Sequence, residues 1–268
     1  MLIEVEDIDS YAATGGRDHQ SDKPWMVFIH GSGFNHLAWM LQTRAMAYDG
    51  WNVLAPDLPG HYLSKGEPLA GIEDMAKWLL KAMEAVGCKQ AVICAHSMGG
   101  LIALELARLK PDAVKAIIFV ATANAIPVNK HLLDMAAANE EKAIASMIAW
   151  AHGEEAHLHE NTWPGSSLIF NGIDIMRLNP AGTLSVDLQS CNDYEHGIER
   201  AEQVECPTLC VFSKLDRMTP VKGGMALAKA LSDNETIVLD NCGHSIPSER
   251  PRELNAAIRD FLAARVSR

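Results

Sequence analysis

Short runs of β-branched and aromatic residues alternate with stretches of helical periodicity along most of this chain. Near-continuous hydrophobicity in runs of this length is typical of parallel strands that are covered on both faces. We expect buried strands at Trp25–Ile29, Trp51–Ala55, Ala91–Ala95, Val114–Val120, Thr208–Phe212 and Thr236–Leu239. Two weaker runs, Ile3–Val5 and Tyr11–Ala13, predict an antiparallel hairpin at one edge of the sheet.

Amphipathic segments lie between these runs. Ile72–Val86 carries apolar residues at helical spacing and is followed by Gly87, a residue typical of helix ends. Similar patterns predict helices at Leu101–Leu109, Val221–Leu231 and Pro251–Ala264. Alternation of strands and helices favours the α/β class, with a doubly wound, mostly parallel sheet of about eight strands and right-handed crossovers.

One stretch interrupts the alternation. Between the strand that ends near Val120 and the strand that starts near Thr208, helical patterns occur without a convincing strand. The clearest of them predict helices at Met135–Trp150 and Leu184–Cys191. Structureless loops of this length are uncommon inside a compact domain. We therefore expect an α/β core at residues 1–122 and 206–268, interrupted by a helical cap at residues 123–205.

Composition argues against several classes of protein. The chain has 268 residues, of which 48% are hydrophobic and 21% charged, as in ordinary globular proteins. Its formal net charge is -11 and no Lys/Arg cluster stands out, so we expect no nucleic-acid partner. No apolar run approaches the length of a membrane span, and the acidic start lacks the features of a signal peptide. Six cysteines without zinc spacing predict reduced thiols in a cytoplasmic protein. The oligomeric state is not indicated.

The strongest local motif is Ala95-His96-Ser97-Met98-Gly99-Gly100, between a predicted strand and a predicted helix. A sharp turn there presents the serine at the carboxyl edge of the sheet, and small residues are needed beside it because the two backbones approach closely. The motif resembles the nucleophile elbow of the α/β-hydrolase family, G-x-S-x-G, with Ala95 in place of the first glycine. Taken alone, it also fits an ordinary serine at a helix N-terminus.

Two further segments resemble the same family. His30-Gly31-Ser32-Gly33 follows the Trp25–Ile29 strand and is similar to the family's oxyanion loop. The resemblance implies that the backbone N–H groups of Ser32 and Met98 form an oxyanion hole. Asp57-Leu58-Pro59-Gly60-His61 is similar to a turn of the family to which we assign a structural role.

A nucleophilic serine needs a base, and the base needs an acid that orients it. Asp216 and His244 each follow a predicted strand, at the edge where α/β sheets place their sites. The chain order Ser97, Asp216, His244 is the order of the family. The resemblance therefore implies a catalytic triad in which His244 is the base and Asp216 the acid, with two-step acyl transfer that needs no cofactor.

A second histidine-rich segment suggests different chemistry. His157 and His159 lie close to several glutamates, all of them compatible with a metal ion. Their spacing matches no accepted zinc motif. We therefore interpret the segment as a solvated polar loop and expect no metal.

The resemblance implies a serine hydrolase that cleaves a carboxylic ester, thioester or lactone, in the manner of a carboxylesterase. Apolar residues of the predicted cap favour a small-molecule substrate with an apolar acyl or alcohol group. Candidate substrate-binding residues are Gly33, Phe34, Trp150 and Trp163.

Two alternative functions remain. A C–C bond hydrolase of the meta-cleavage type usually has Trp after the catalytic histidine, where this chain has Ser245. A non-hydrolytic, ligand-binding member of the fold would typically have lost a triad residue.

Overall fold

A computed structural model describes residues 1–138, 140–158 and 165–266, and eight strands in these ranges form one sheet. The strands are β1 (Leu2–Val5), β2 (Ile8–Ala13), β3 (Trp25–Ile29), β4 (Asn52–Pro56), β5 (Ala91–His96), β6 (Val114–Val120), β7 (Thr208–Ser213) and β8 (Asn234–Leu239). Their order across the sheet is β1-β2-β4-β3-β5-β6-β7-β8. The β1–β2 and β2–β4 pairs are antiparallel and all other pairs are parallel. The predicted fold class is confirmed.

Helices connect the strands and cover the sheet. In the described part of the chain they are α1 (Met40–Tyr48), α2 (Ile72–Ala85), α3 (Met98–Leu109), α4 (Lys130–Ala138), α5 (Glu140–Ala151), α6 (Glu154–His157), α7 (Leu168–Arg177), α8 (Thr183–Asn192), α9 (Gly197–Glu202), α10 (Val221–Ala230), α11 (Ile246–Glu249) and α12 (Pro251–Arg265). Short 3-10 helices form at His36–Trp39 and Pro111–Ala113. None of the helices within the described ranges has the length and hydrophobicity that crossing a bilayer requires.

Successive residues of the central strands belong to two separate apolar cores. In β3, Val27 and Ile29 pack into the core that α2, α3 and α10 cover. The neighbouring Met26 and Phe28 pack into the core that α1 and α12 cover. Because side chains alternate across a strand, this arrangement requires an apolar residue at every position. It explains the continuous hydrophobic runs of the central strands.

The outermost strand departs from the expectation of a buried strand at Thr236–Leu239. β8 begins earlier, at Asn234, and each of its six residues is partly or fully exposed. Val238, for example, is 36% exposed. The prediction of burial is wrong because β8 pairs only with β7 and lies at the edge of the sheet. Edge strands have solvent on one side, so apolar composition alone does not determine their burial.

The segment between β6 and β7 contains the helices α4 to α9, joined by turns and loops, and none of its described residues forms a strand. The helix expected at Met135–Trp150 falls across two elements, α4, which ends at Ala138, and α5, which begins at Glu140; residue 139 lies outside the described residues. The Glu140 carboxylate accepts hydrogen bonds from the amides of Gly182, at 2.8 Å, and Leu184, at 3.1 Å. These bonds attach the start of α5 to the start of α8, so the position of α5 depends on a tertiary contact.

The first turn of α3 lies very close to β3. A Cβ atom built on Gly99 would be 2.6 Å from the carbonyl oxygen of Ile29, well inside van der Waals contact. A Cβ atom on Gly100 would be 2.4 Å from the hydroxyl oxygen of Thr122. The two glycines therefore allow the helix to start directly against the sheet.

We expect Gly99→Ala to lower the free energy of unfolding by about 2–3 kcal/mol, because a backbone carbonyl in a central strand cannot move away from the new methyl group. Gly172→Ala is the matched control. Its Cβ atom would lie 3.0 Å from the terminal methyl group of Ile148, which can rotate, so a change within about 1 kcal/mol is expected. Urea unfolding measures both, and equal effects would contradict the close approach at Gly99.

Candidate active site

Ser97 lies at the turn between β5 and α3 in a strained backbone conformation. Its φ of 54° and ψ of -119° fall in a region that residues with a Cβ atom rarely adopt. Two hydrogen bonds hold the turn: the Ser97 amide donates to the Val120 carbonyl at 3.0 Å, and the Thr122 hydroxyl donates to the Ser97 carbonyl at 2.8 Å. A Cβ atom on Gly31 would lie 3.1 Å from the Cβ atom of Ser97, so the loop after β3 contacts this turn.

Asp216 and His244, from the loops after β7 and β8, form a direct hydrogen bond. His244 Nδ1 is 2.8 Å from Asp216 Oδ2, and both side chains are buried. Asp216 Oδ1 accepts from the amides of Met218 and Thr219, each at 2.8 Å, and the Thr219 hydroxyl lies 2.8 Å from Oδ2.

These contacts determine the charge of the pair. Burial raises the pKa of Asp216, but the charge of His244 and the hydrogen bonds from His244 and Thr219 outweigh it, so the pKa lies below its usual value. An ionised carboxylate can only accept, and the proton of this bond therefore belongs to His244 Nδ1. The other ring nitrogen, Nε2, can then act as a base.

The loop that carries His244 is anchored to the end of α5. The His244 amide donates to the carbonyl of Ala151 at 2.6 Å. The buried Glu249 carboxylate accepts from the amides of Gly153, at 2.9 Å, and Gly243, at 3.1 Å. The position of the histidine therefore depends on the helical segment between β6 and β7.

The amides of Ser32 and Met98 are the predicted oxyanion donors. Met98 is the first residue of α3, where a helix leaves its N–H groups without an internal partner. Within the described ranges, the Ser32 amide donates to no protein acceptor. The Ser32 hydroxyl is 3.5 Å from Met98 Sδ, so the two residues are neighbours. Both N–H groups can therefore bind an anion beside Ser97.

Two side chains from the helical segment hold the loop after β3, which is the predicted oxyanion loop. The Gly33 amide donates to Asp187 Oδ2 on α8 at 2.7 Å. The Gly33 carbonyl accepts from Asn179 Nδ2, just after α7, at 2.6 Å. Gly33 has a φ of 67°, in the left-handed region that favours glycine, and a Cβ atom there would lie 2.5 Å from the terminal methyl group of Met176. Hydrogen bonds to both the amide and the carbonyl of Gly33 therefore hold this loop in place.

Asp187 forms a buried ion pair with His61, and both side chains are fully buried. His61 Nε2 is 3.0 Å from Asp187 Oδ2, and His61 Nδ1 is 3.0 Å from the Pro59 carbonyl. Because both ring nitrogens face acceptors, both carry protons and the ring is a cation. Burial lowers the pKa of His61, but the charge of Asp187 and the hydrogen bonds to it and to Pro59 outweigh it, so the pKa is raised.

His96, the residue before Ser97, is a neutral histidine. Its Nε2 is 3.0 Å from the carbonyl of His244, which can only accept, so Nε2 carries the proton. Burial, reinforced by the charge of His244, lowers the pKa of His96 to about 3. The ring centroids of the two histidines are 4.7 Å apart, which brings the loop of the proposed base next to the Ser97 turn.

An apolar pocket opens beside this turn, between the sheet edge and α7. Its lining residues are Phe34, Leu37, Ala38, Met40, Leu41, His96, His152, Leu168, Asn171, Gly172, Ile175, Ser245, Pro247 and Ser248. None of these described residues is Asp, Glu, Lys or Arg. Of the candidate substrate-binding residues, Phe34 lines the pocket, whereas Gly33 and the exposed Trp150 do not. Trp163 lies outside the described residues.

No group of three or more His, Cys, Asp or Glu side chains in the described ranges is arranged to hold a metal ion. His157, in the histidine-rich segment, is within those ranges, and its Nε2 is 3.1 Å from the carbonyl of Ala149. His159 and Glu160 lie outside the described residues.

The sequence model of the alpha/beta hydrolase family matches residues 26–257. The chain belongs to this family. Mouse monoacylglycerol lipase ABHD6 is 24% identical over 92% of this chain and 78% of its own length.

Solved structures of other alpha/beta hydrolases share the fold. The enol-lactonase from Burkholderia xenovorans LB400 has a TM-score of 0.88 at 20% identity, covering 98% of this chain and 100% of its own. A thermophilic esterase from Thermogutta terrifontis has a TM-score of 0.84 at 22% identity, covering 98% of both chains. At these identities the likeness concerns the fold alone.

The site of this alpha/beta hydrolase includes residues that the motifs did not indicate. Asn179 and Glu249 carry no local signal, because their partners are distant in sequence. Asp187 does carry a local signal, because it lies on the apolar side of a predicted helix, together with Leu184, Leu188 and Cys191. A charged residue in that position is seldom buried without a partner.

We expect Asp187→Asn to lower the free energy of unfolding at neutral pH by about 3–5 kcal/mol, since it leaves the buried His61 without its counter-charge. Asp134→Asn is the matched control. It removes the same charge from an exposed pair with Lys130, so a change within about 1 kcal/mol is expected. Urea unfolding measures both variants. A loss of similar size in the two would contradict the buried ion pair.

We also expect an acid-dependent loss of stability from His96. Its pKa is about 3 in the folded protein, against an ordinary value of 6.5. Because the unfolded state then binds the extra proton, the stabilisation present above about pH 6.5 is lost as the pH falls toward 3. Between pH 7 and pH 5 this amounts to about 2 kcal/mol.

Urea unfolding at these two pH values tests the neutral state of His96. In His96→Asn the acid-induced loss should be smaller than in the wild type by about 2 kcal/mol. His131→Asn, at an exposed position, should keep the wild-type dependence. An unchanged loss in His96→Asn would show that this histidine is not buried in neutral form.

Proposed function

We propose that this protein is a serine hydrolase that cleaves carboxylic esters, thioesters or lactones of small molecules, with Ser97 as nucleophile, His244 as base and Asp216 as orienting acid. One observation carries the proposal. A strained serine, a buried His–Asp pair and two backbone amides, those of Ser32 and Met98, lie at the same edge of the sheet, and in the described residues no protein acceptor binds the Ser32 amide. Acyl transfer requires all three, whereas a ligand-binding protein requires none of them.

The proposed reaction has two steps. His244 Nε2 takes the proton of Ser97 Oγ as this oxygen attacks the carbonyl carbon, and the amides of Ser32 and Met98 donate to the oxygen that becomes negative. The protonated His244 then gives its proton to the departing alcohol, which leaves an acyl group on Ser97. Water, deprotonated by the same histidine, attacks this acyl group, the bond between the acyl carbon and Ser97 Oγ breaks, and His244 returns the proton to Ser97 Oγ as the acid is released. Asp216 stabilises the imidazolium in both steps.

Residues 123–205 form the cap in this proposal, and residues 1–122 and 206–268 form the catalytic core. Leu168, Asn171 and Ile175, all from α7, line the pocket beside Ser97, so the cap supplies one wall for an apolar acyl or alcohol group. The names of the lipase, lactonase and esterase to which this chain is similar favour an oxygen ester over a thioester. They support a carboxylesterase activity.

We expect Ser97→Ala and Asp216→Asn each to lower kcat/KM for p-nitrophenyl butyrate by about 10⁴-fold, because the first removes the nucleophile and the second leaves His244 without its orienting charge. Ser232→Ala is the control. The Ser232 hydroxyl donates to the carbonyl of Val204 just before β8, at the amino-terminal ends of the strands and therefore away from Ser97. Removing this hydroxyl should leave kcat/KM within a factor of two. Circular dichroism verifies that each variant is folded.

The substrate panel for this experiment includes esters, thioesters, lactones and a vinylogous diketone. Activity that persists in Ser97→Ala would assign the nucleophile to another residue. Folded wild-type protein that turns over none of the compounds would overturn the hydrolase and favour the ligand-binding alternative. Preferred cleavage of the diketone would identify a C–C bond hydrolase.

A further inference from the structure

Two buried polar atoms in the wall of the apolar pocket have no hydrogen-bonding partner in the described part of the chain. They are His96 Nδ1 and Ser245 Oγ. Their side chains line the pocket, and the residues are only 3% and 7% exposed. Buried polar groups without a partner lower stability, so they are rare unless a ligand or water completes them. Such a pair in the wall of a pocket therefore indicates a place where a ligand binds.

The chemistry of His96 specifies one half of that ligand. Since Nε2 donates to the His244 carbonyl, the neutral ring presents Nδ1 as a bare acceptor. A Cβ atom on Gly31 would lie 3.0 Å from this nitrogen, which is therefore next to the oxyanion loop. The group that binds there must be a hydrogen-bond donor, and it must lie close to the reacting carbonyl.

Ser245 specifies the other half. Its amide donates to the carbonyl of Ala151 at 3.2 Å, which fixes the backbone, while the hydroxyl remains free to donate or accept. His96 Nε2 bonds to the residue immediately before Ser245, so the two side chains belong to the same corner of the pocket. A hydroxyl is the ligand group that has both a proton to donate to His96 Nδ1 and lone pairs to accept from Ser245 Oγ. A carboxylate cannot, because it has no proton to give.

The rest of the pocket excludes charged ligands. Its walls are apolar side chains such as Phe34, Leu41 and Ile175, and none of the described lining residues carries a formal charge. A substrate ammonium or carboxylate would lose its hydration there without a counter-charge.

We propose that His96 and Ser245 form a hydroxyl-binding subsite, and that the preferred substrates are uncharged esters with a free hydroxyl group near the scissile carbonyl. That these esters are also hydrolysed rests on the proposed function, whereas their binding at the subsite requires no catalysis. The hydroxyl can lie on the alcohol side or on the acyl side of the ester, and the pairs of probes below distinguish these two positions.

Binding to a Ser97→Ala protein tests the subsite without any need for catalysis. The first pair of probes is 2-hydroxyethyl butyrate and its isostere propyl butyrate. The second pair is ethyl 3-hydroxybutyrate and ethyl 3-methylbutyrate. Calorimetric titration gives the Kd of each ester. We expect the hydroxy ester of at least one pair to bind about ten-fold more tightly than its isostere, since two buried polar groups become satisfied.

Variants of Ser245 in the Ser97→Ala protein identify the residue responsible. Ser245→Ala should reduce the preference to about two-fold or less, and Ser245→Thr, which keeps a hydroxyl, should retain most of it. Ser232→Ala is the matched control outside the pocket, because the Ser232 hydroxyl donates to the Val204 carbonyl at 3.0 Å. Its preference for the hydroxy ester should equal that of the parent protein.

The outcomes separate this inference from the proposed function. Equal affinities for the members of both pairs, or a preference that survives in Ser245→Ala, would overturn the subsite and indicate that only water fills it. If the preference for the hydroxy ester depends on Ser245 but the wild-type protein hydrolyses no ester, the subsite is supported and the proposed hydrolase function is contradicted. Tighter binding of an anionic ester, such as monoethyl succinate, would also contradict the subsite.

Discussion

The backbone conformation of Ser97 is the constraint on which the rest of the site depends. A positive φ at a residue with a Cβ atom costs energy, and it persists only where neighbouring contacts enforce it. Here the amide and the carbonyl of Ser97 are both bonded to the end of β6 and the residues after it. The glycines at 99 and 100 allow α3 to start against β3 and Thr122. The same turn places Ser97 at the carboxyl edge of the sheet, and beside it the N–H of Met98, the first residue of α3, has no acceptor one turn earlier in the helix.

The helical segment between β6 and β7 supports the site as well as covering it. Asp187 and Asn179 bond to the amide and carbonyl of Gly33, and the end of α5 bonds to the loops around His244. The proposed oxyanion loop and the proposed base therefore both take their positions from this segment. A displacement of α8 would break the bond to Gly33 and separate the buried charges of Asp187 and His61. Because that separation is costly, we expect α8 to remain in place during the reaction.

Local sequence patterns predicted the parts of this structure that depend on local physics. β3 and β6 have the predicted bounds, because their residues are apolar at every position except Lys115 and both faces are covered. The positions after strands located Ser97, Asp216 and His244 at one sheet edge, since parallel strands share that edge. The exposure of β8 could not be predicted, because it depends on which neighbours the strand meets. The Asp187–Gly33 bond joins residues that are 154 positions apart, so no local pattern indicates it.

We propose that Ser97 is an activated nucleophile. Incubation with a fluorophosphonate, followed by intact-mass measurement and peptide mapping, tests this role without a substrate, because the reagent bonds covalently to a serine only where a base removes its proton. We expect one phosphonyl group per chain, located on Ser97, and no labelling after heat denaturation. A folded protein that remains unlabelled, or that carries the group on another residue, would contradict it.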